Sequence, residues 1–85
     1  MVLKTFTMIA EKSATLLNTS MIKDNRNTEA GRATIMAFIR TISIADQLAA
    51  EIRDGAVVST MQESMAEMNK LIGFGFRGCA ILTRN

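Results

Sequence analysis

Three cations spaced seven residues apart, Lys70, Arg77 and Arg84, are the side chains of this chain best suited to hold a ligand. Seven residues are nearly two helical turns, so on a helix these three form one basic stripe. Phe74 and Phe76 lie beside them and offer flat apolar surface on which a base can stack. A second cluster, Arg26, Thr28 and Arg32, falls where a polar run gives way to an apolar one. A helix that starts there offers free N–H groups and a positive dipole end, both of which favour an anion. The plainer reading of both clusters is a solvated basic surface, with the phenylalanines in the core.

Catalytic chemistry is poorly provided for. There is no histidine, so the commonest general base and metal ligand is missing, and neither a Ser–His nor a Cys–His pair can form. Eight carboxylates are scattered along the chain; Glu63 and Glu67 are one helical turn apart, and the spacing suits a solvated face with capping duties. Gly73-Phe74-Gly75-Phe76-Arg77-Gly78 matches neither the P-loop nor the dinucleotide fingerprint, because no strand–glycine–helix context surrounds it. We expect no enzyme, no metal site and no cofactor. Cys79 is the single cysteine, which rules out an intrachain disulfide, and a buried, inert thiol is the expectation.

A net charge of +2, from ten basic and eight acidic residues, is too small for a nucleic-acid footprint, so no DNA partner is expected, although a local basic pocket for a small anion remains open. No membrane span is expected: the longest uninterrupted apolar run, residues 35–39, is far short of the ~20 residues a crossing needs. The N-terminus shows no long apolar stretch with a cleavage pattern, so no signal peptide is expected.

The elements that must position these groups read as helices in a single domain covering residues 1–85. Without proline, nothing obliges a helix to stop. A first helix over about 3–22 carries Phe6, Ile9, Ala10, Ser13, Leu17 and Met21 on one face, and Lys23 to Asn27 break it. A second spans about 28–53. Thr28 or Asn27 caps it, Glu29 suits its positive end, Gly31 weakens its first turn, and Gly55 is placed to take the left-handed stop conformation. Its expected apolar face is Ile35, Phe38, Ile42, Ala45, Ala49 and Ile52, against a narrow polar strip of Arg40, Ser43, Gln47 and Glu51. The β-branched run 38–44 also suits a strand, but the helical pattern is sustained on both sides of it. A third helix covers about 59–82. Thr60-Met61-Gln62-Glu63 reads as a capping box, and Met61, Met65, Met68, Leu71 and Ile72 form its apolar stripe. Each glycine of 73–78 costs about 1 kcal/mol in a helix interior. The preferred reading is a continued, locally weak helix; the alternative ends it there and leaves 79–83 extended.

The fold class is therefore all-α: an antiparallel helical hairpin plus an N-terminal helix. A middle helix this apolar needs neighbours on more than one side, and 85 residues supply few, so assembly as a homo-oligomer is expected.

The second half of the chain resembles a phage helical-hairpin family whose members include cyclic-oligonucleotide sponges that blunt the bacterial CBASS defence. Its first hairpin helix is similar to Leu48-Ala49-Ala50-Glu51-Ile52, its serine-bearing turn to Val58-Ser59-Thr60, and its second helix to Ser64-Met65-Ala66, Lys70-Leu71, Ala80 and Arg84-Asn85. The match covers about 40–85 with a one-residue gap after Ala66. Three glycines stand where the family helix is continuous, no tryptophan lies near Phe76, and Asp46 takes a commonly basic position. The resemblance implies a homo-oligomer of hairpins, such as a hexamer, in the host bacterial cytoplasm. It would sequester cyclic di- or trinucleotides between subunits without cleavage. Lys70 and Arg84 are the matching basic positions, with phosphate contact as their implied role. Arg77, Arg26, Thr28 and Arg32 join them on the physical argument alone. The alternative is a helical protein-interaction module, a structural subunit or a host-protein inhibitor, with no small ligand.

Overall fold

The computed structural model describes residues 2–84; Met1 and Asn85, the latter closing the resemblance, lie outside them. The described residues contain no strand. They form α1 (Val2–Leu17), α2 (Ser20–Asp24), α3 (Glu29–Arg53), a short 3₁₀ turn (Val58–Met61) and α4 (Gln62–Thr83). The protein is all-α.

The segment expected as one helix over 3–22 is two. Asn18 and Thr19 end α1: the Thr19 hydroxyl donates to the Leu16 carbonyl (2.7 Å), and Thr19 itself is extended. Leu17-Asn18-Thr19-Ser20 places three residues in a row whose side chains compete with the helix for backbone partners, and here that competition wins. The turn after α2 is held by Asn25, whose side-chain amide donates to the Met21 carbonyl at 2.7 Å.

Helix α3 starts and stops on the residues its sequence offers. The Thr28 hydroxyl accepts from the Gly31 N–H (2.9 Å), satisfying one of the orphan donors of the first turn. Gly31 is a structural requirement there: a Cβ would run into the Asn25 carbonyl. At the other end Gly55 takes φ +95°. Its N–H donates to Ile52 and that of Ala56 to Glu51, both at 3.0 Å, which closes a Schellman stop.

The expected capping box at 60–63 does not form. The chain leaves Gly55 into the 3₁₀ turn, where the Thr60 hydroxyl donates to the Val57 carbonyl (2.7 Å) and makes no cap contact with α4. Helix α4 then runs unbroken through Gly73, Gly75 and Gly78. Two of these glycines let α3 come close. A Cβ on Gly75 would strike the Phe38 ring, and one on Gly78 would strike the Thr34 side chain.

Helix α3 is the middle element of a rod 44 Å long and 20 × 17 Å across, with α1 and α4 both packed along it. One apolar cluster gathers Phe6, Ala45, Leu48, Ala49, Met61 and Met68. A smaller one at the other end joins Ile22, Phe38 and Leu82. Between them lie Ser13 and Thr41, both fully buried. The buried face of α3 is rotated from the one its hydropathy suggests: Thr34 and Thr41 are inside, while Ile35, Ile42 and Ile52 are half-buried. The two threonine hydroxyls donate to the Ala30 and Ala37 carbonyls, each at 2.8 Å, and so present a largely apolar surface to the core. Over its most apolar stretch α3 reaches a mean hydropathy of 1.2, so by length and composition it meets the requirement for a membrane crossing, which no uninterrupted apolar run in the sequence does. In the rod it is flanked by α1 and α4.

Candidate binding groove

The face of α3 and α4 turned away from α1 carries an open groove of about 520 Å³. That volume lies within the ordinary range for ligand sites, about 300–1,000 Å³. Small side chains, Ala30, Ala33, Ala37 and Gly78, line the groove together with the buried Thr34 and Leu71. Its walls are Met36, Phe74 and Ile81, which are 54, 46 and 51% exposed. Side chains this apolar and this open are costly to leave in water, by roughly 25 cal/mol for each Å².

The rim is charged. Lys70 and Arg77 come from α4, Arg40 from α3 and Glu67 from α4. Arg40 and Glu67 pair across the groove at 3.5 Å, both well exposed, so the pair contributes little to stability. The Arg77 guanidinium lies over the Phe74 ring at 4.6 Å, a cation–π contact that shields one face of the ring. Phe76 turns the other way. It meets Phe38 edge-on at 6.1 Å and borders a shallow cleft with Lys12, Thr15 and Leu16.

The six residues singled out from the sequence are thus divided. Lys70 and Arg77 stand together on the groove. Arg84 follows α4 as its C-terminal cap residue, still in helical conformation, and continues their line one heptad further without lining the groove. Arg26 and Thr28 before α3 and Arg32 in its first turn are exposed and do not line it either. The Thr28 hydroxyl is already engaged twice, accepting from Gly31 and donating to the Asn25 carbonyl (2.8 Å). From the sequence Arg40 reads only as part of a polar strip, and Ala33 and Ile81 stand out in no apolar face. The seven-residue recurrence of Phe74 and Ile81 on α4 was the available signal.

Cys79 is half-buried, less hidden than expected, and burial pushes its thiol pKa up. Among the described residues no three side chains of the metal-ligating types converge. No protein-family profile, curated protein or solved structure matches the chain.

Proposed function

We propose that this protein is a non-enzymatic helical assembly module, a homo-oligomer in which the α3/α4 hairpin buries its outer groove against another helix. The observation that carries this reading is the coincidence of half-exposed Met36, Phe74 and Ile81 on one groove with the small lining residues Ala30, Ala33, Ala37 and Gly78. A helix seats well in such a trough, because large side chains on the walls interlock with it and small ones let backbones approach. A chain of 85 residues buries a modest share of its surface, and covering these half-exposed walls in a second subunit would add to its stability. Sedimentation of the wild type and of Phe74→Asp tests it. The wild type should run above the 9.3 kDa of one subunit, and the variant should fall to that mass with unchanged helicity. A lone wild-type subunit at tens of micromolar, or a variant of unchanged mass, would refute the reading.

A second reading keeps the same groove for a cyclic di- or trinucleotide held between subunits. The specific observation in its favour is that Lys70, Arg77 and Phe74 share one groove, so cations for phosphate and a ring for a base lie within one site. Under that reading the protein would act as a sponge in a host bacterial cytoplasm.

A further inference from the structure

The outer stripe of α4 is segregated by charge. At alternating steps of four and three residues it runs Glu63, Glu67, Lys70, Phe74, Arg77, Ile81, and from Glu67 to Ile81 these residues all line the groove. Arg84 extends the stripe by one more step of three. Its first turn is therefore acidic and its second half basic. Helix α3 does not repeat the division: Glu29 stands in its first turn and Arg53 in its last, so the segregation belongs to α4 alone.

We infer that the occupant of the groove is a second copy of this chain, laid antiparallel across it about a two-fold axis near the middle of α4. This rests on the assembly reading above and adds the direction and symmetry of the pairing. A parallel copy would set acid against acid and base against base. An antiparallel copy brings Glu63 and Glu67 of each subunit to Arg84 and Arg77 of the other, with Phe74 of both subunits near the axis and Ile81 among the charge pairs at each end. Lys70 then lies near the partner's Arg77, a like-charge approach outnumbered by the four opposite-charge ones. A two-fold pairing is self-complementary, since each contact occurs twice. Charge complementarity sets the direction of docking, while burial of the apolar walls supplies most of the attraction.

Charge reversal tests the direction separately from the groove itself. Arg77→Glu/Arg84→Glu makes the stripe almost wholly acidic, and Glu63→Lys/Glu67→Lys makes it wholly basic. Glu63→Lys alone serves as a milder basic variant that leaves the Arg40–Glu67 pair intact. Circular dichroism checks that each variant keeps its helicity. In sedimentation at low salt each double variant alone should show at least a tenfold weaker self-association than the wild type. An equimolar mixture of the two should restore the paired mass, because acidic and basic stripes then face each other. Full-strength association of either double variant alone, or a mixture that stays at the lone-subunit mass, overturns the antiparallel copy. If Phe74→Asp dissociates the protein while the charge variants do not, the groove reading stands and this inference fails. If Phe74→Asp leaves the mass unchanged, both fail.

Discussion

Gly78 leaves room for the side chain of Thr34 and for nothing more. A Cβ there would collide with the Thr34 hydroxyl, which is buried and committed to the Ala30 carbonyl. Gly75 stands in the same relation to Phe38, whose ring is fully buried and braced edge-on by Phe76. Gly73 differs, since nothing lies within 4 Å of the place its Cβ would occupy. Alanine gains about 1 kcal/mol over glycine in a helix interior. Forcing a methyl group into a packed contact costs about 1–3 kcal/mol. The second term should win at 75 and 78, and the first at 73. Gly73→Ala should therefore raise the melting temperature, and Gly75→Ala and Gly78→Ala should lower it. For a domain of this size 1 kcal/mol corresponds to about 4–8 °C. Melting at one fixed subunit concentration is the measurement; three shifts of the same sign would contradict the close approach of α3 and α4.

Ser13 presents the opposite case, a buried polar group that the fold leaves unpaired. Its hydroxyl is fully buried, with no hydrogen-bond partner, at the waist between the two apolar clusters. A buried polar group without a partner costs about 1–3 kcal/mol. Removing the oxygen leaves a methyl group of almost the same shape. Ser13→Ala should hold or raise the urea midpoint without changing the slope of the transition. A clear drop in the midpoint would mean that the hydroxyl has a partner in solution.

Two threonines that look alike in sequence should separate on mutation. Thr28 caps α3 through the Gly31 N–H and also fixes the Asn25 carbonyl, so Thr28→Ala should cost about 1 kcal/mol, the usual value for a lost cap. Thr60 makes no cap contact with α4 and bonds only to the Val57 carbonyl at an exposed turn, so Thr60→Ala should cost less. Equal losses in thermal stability would indicate that the capping box at 60–63 forms after all.

Cys79 should react slowly. Burial raises its thiol pKa, so less of the nucleophilic thiolate is present at neutral pH. Alkylation by iodoacetamide at pH 8 should be slower in the folded protein than in urea, and the gap should narrow as pH rises. The linked effect on stability has the matching sign. Below the unfolded thiol pKa both states keep the proton and nothing changes. As pH rises through that value toward the raised folded pKa, the unfolded state loses its proton first and stability declines. Faster alkylation in the folded state would place the thiol in an electropositive, open setting instead.

The sequence carried the elements further than the faces. Thr28, Gly55 and the stripe from Phe6 to Met21 are local signals, and each acts through a hydrogen bond or periodicity that neighbours in sequence decide. The turn at Asn18–Thr19 was just as local, in the side-chain competition of Asn18, Thr19 and Ser20, but the apolar stripe runs on through Leu17 and Met21 and masks it. Thr34 and Thr41 misled because their polarity cancels only once the hydroxyls bond back to the helix. The division of the basic residues was not legible at all. Spacing along α4 shows that Lys70 and Arg77 share a stripe, yet only packing decides that this stripe meets Met36 and Arg40 rather than Arg26 and Arg32.

That division also governs how a cyclic-nucleotide ligand would respond to mutation. If the groove takes one, the phosphates meet Lys70 and Arg77, whereas Arg26 before α3 and Arg32 in its first turn do not line it. A hydrogen bond to a charged group contributes about 1.5–3 kcal/mol, so losing one should weaken binding by roughly tenfold or more. Lys70→Ala and Arg77→Ala should each show that loss in calorimetry against a panel of cyclic di- and trinucleotides, while Arg26→Ala and Arg32→Ala should bind like the wild type. Thr28→Ala should lower stability yet leave affinity intact, because its hydroxyl serves the cap. Salt separates this reading from self-assembly alone: phosphate contacts weaken as ionic strength rises, while the apolar walls continue to hold subunits together. Flat traces for every nucleotide with the wild type would remove the ligand and leave the groove to the second subunit.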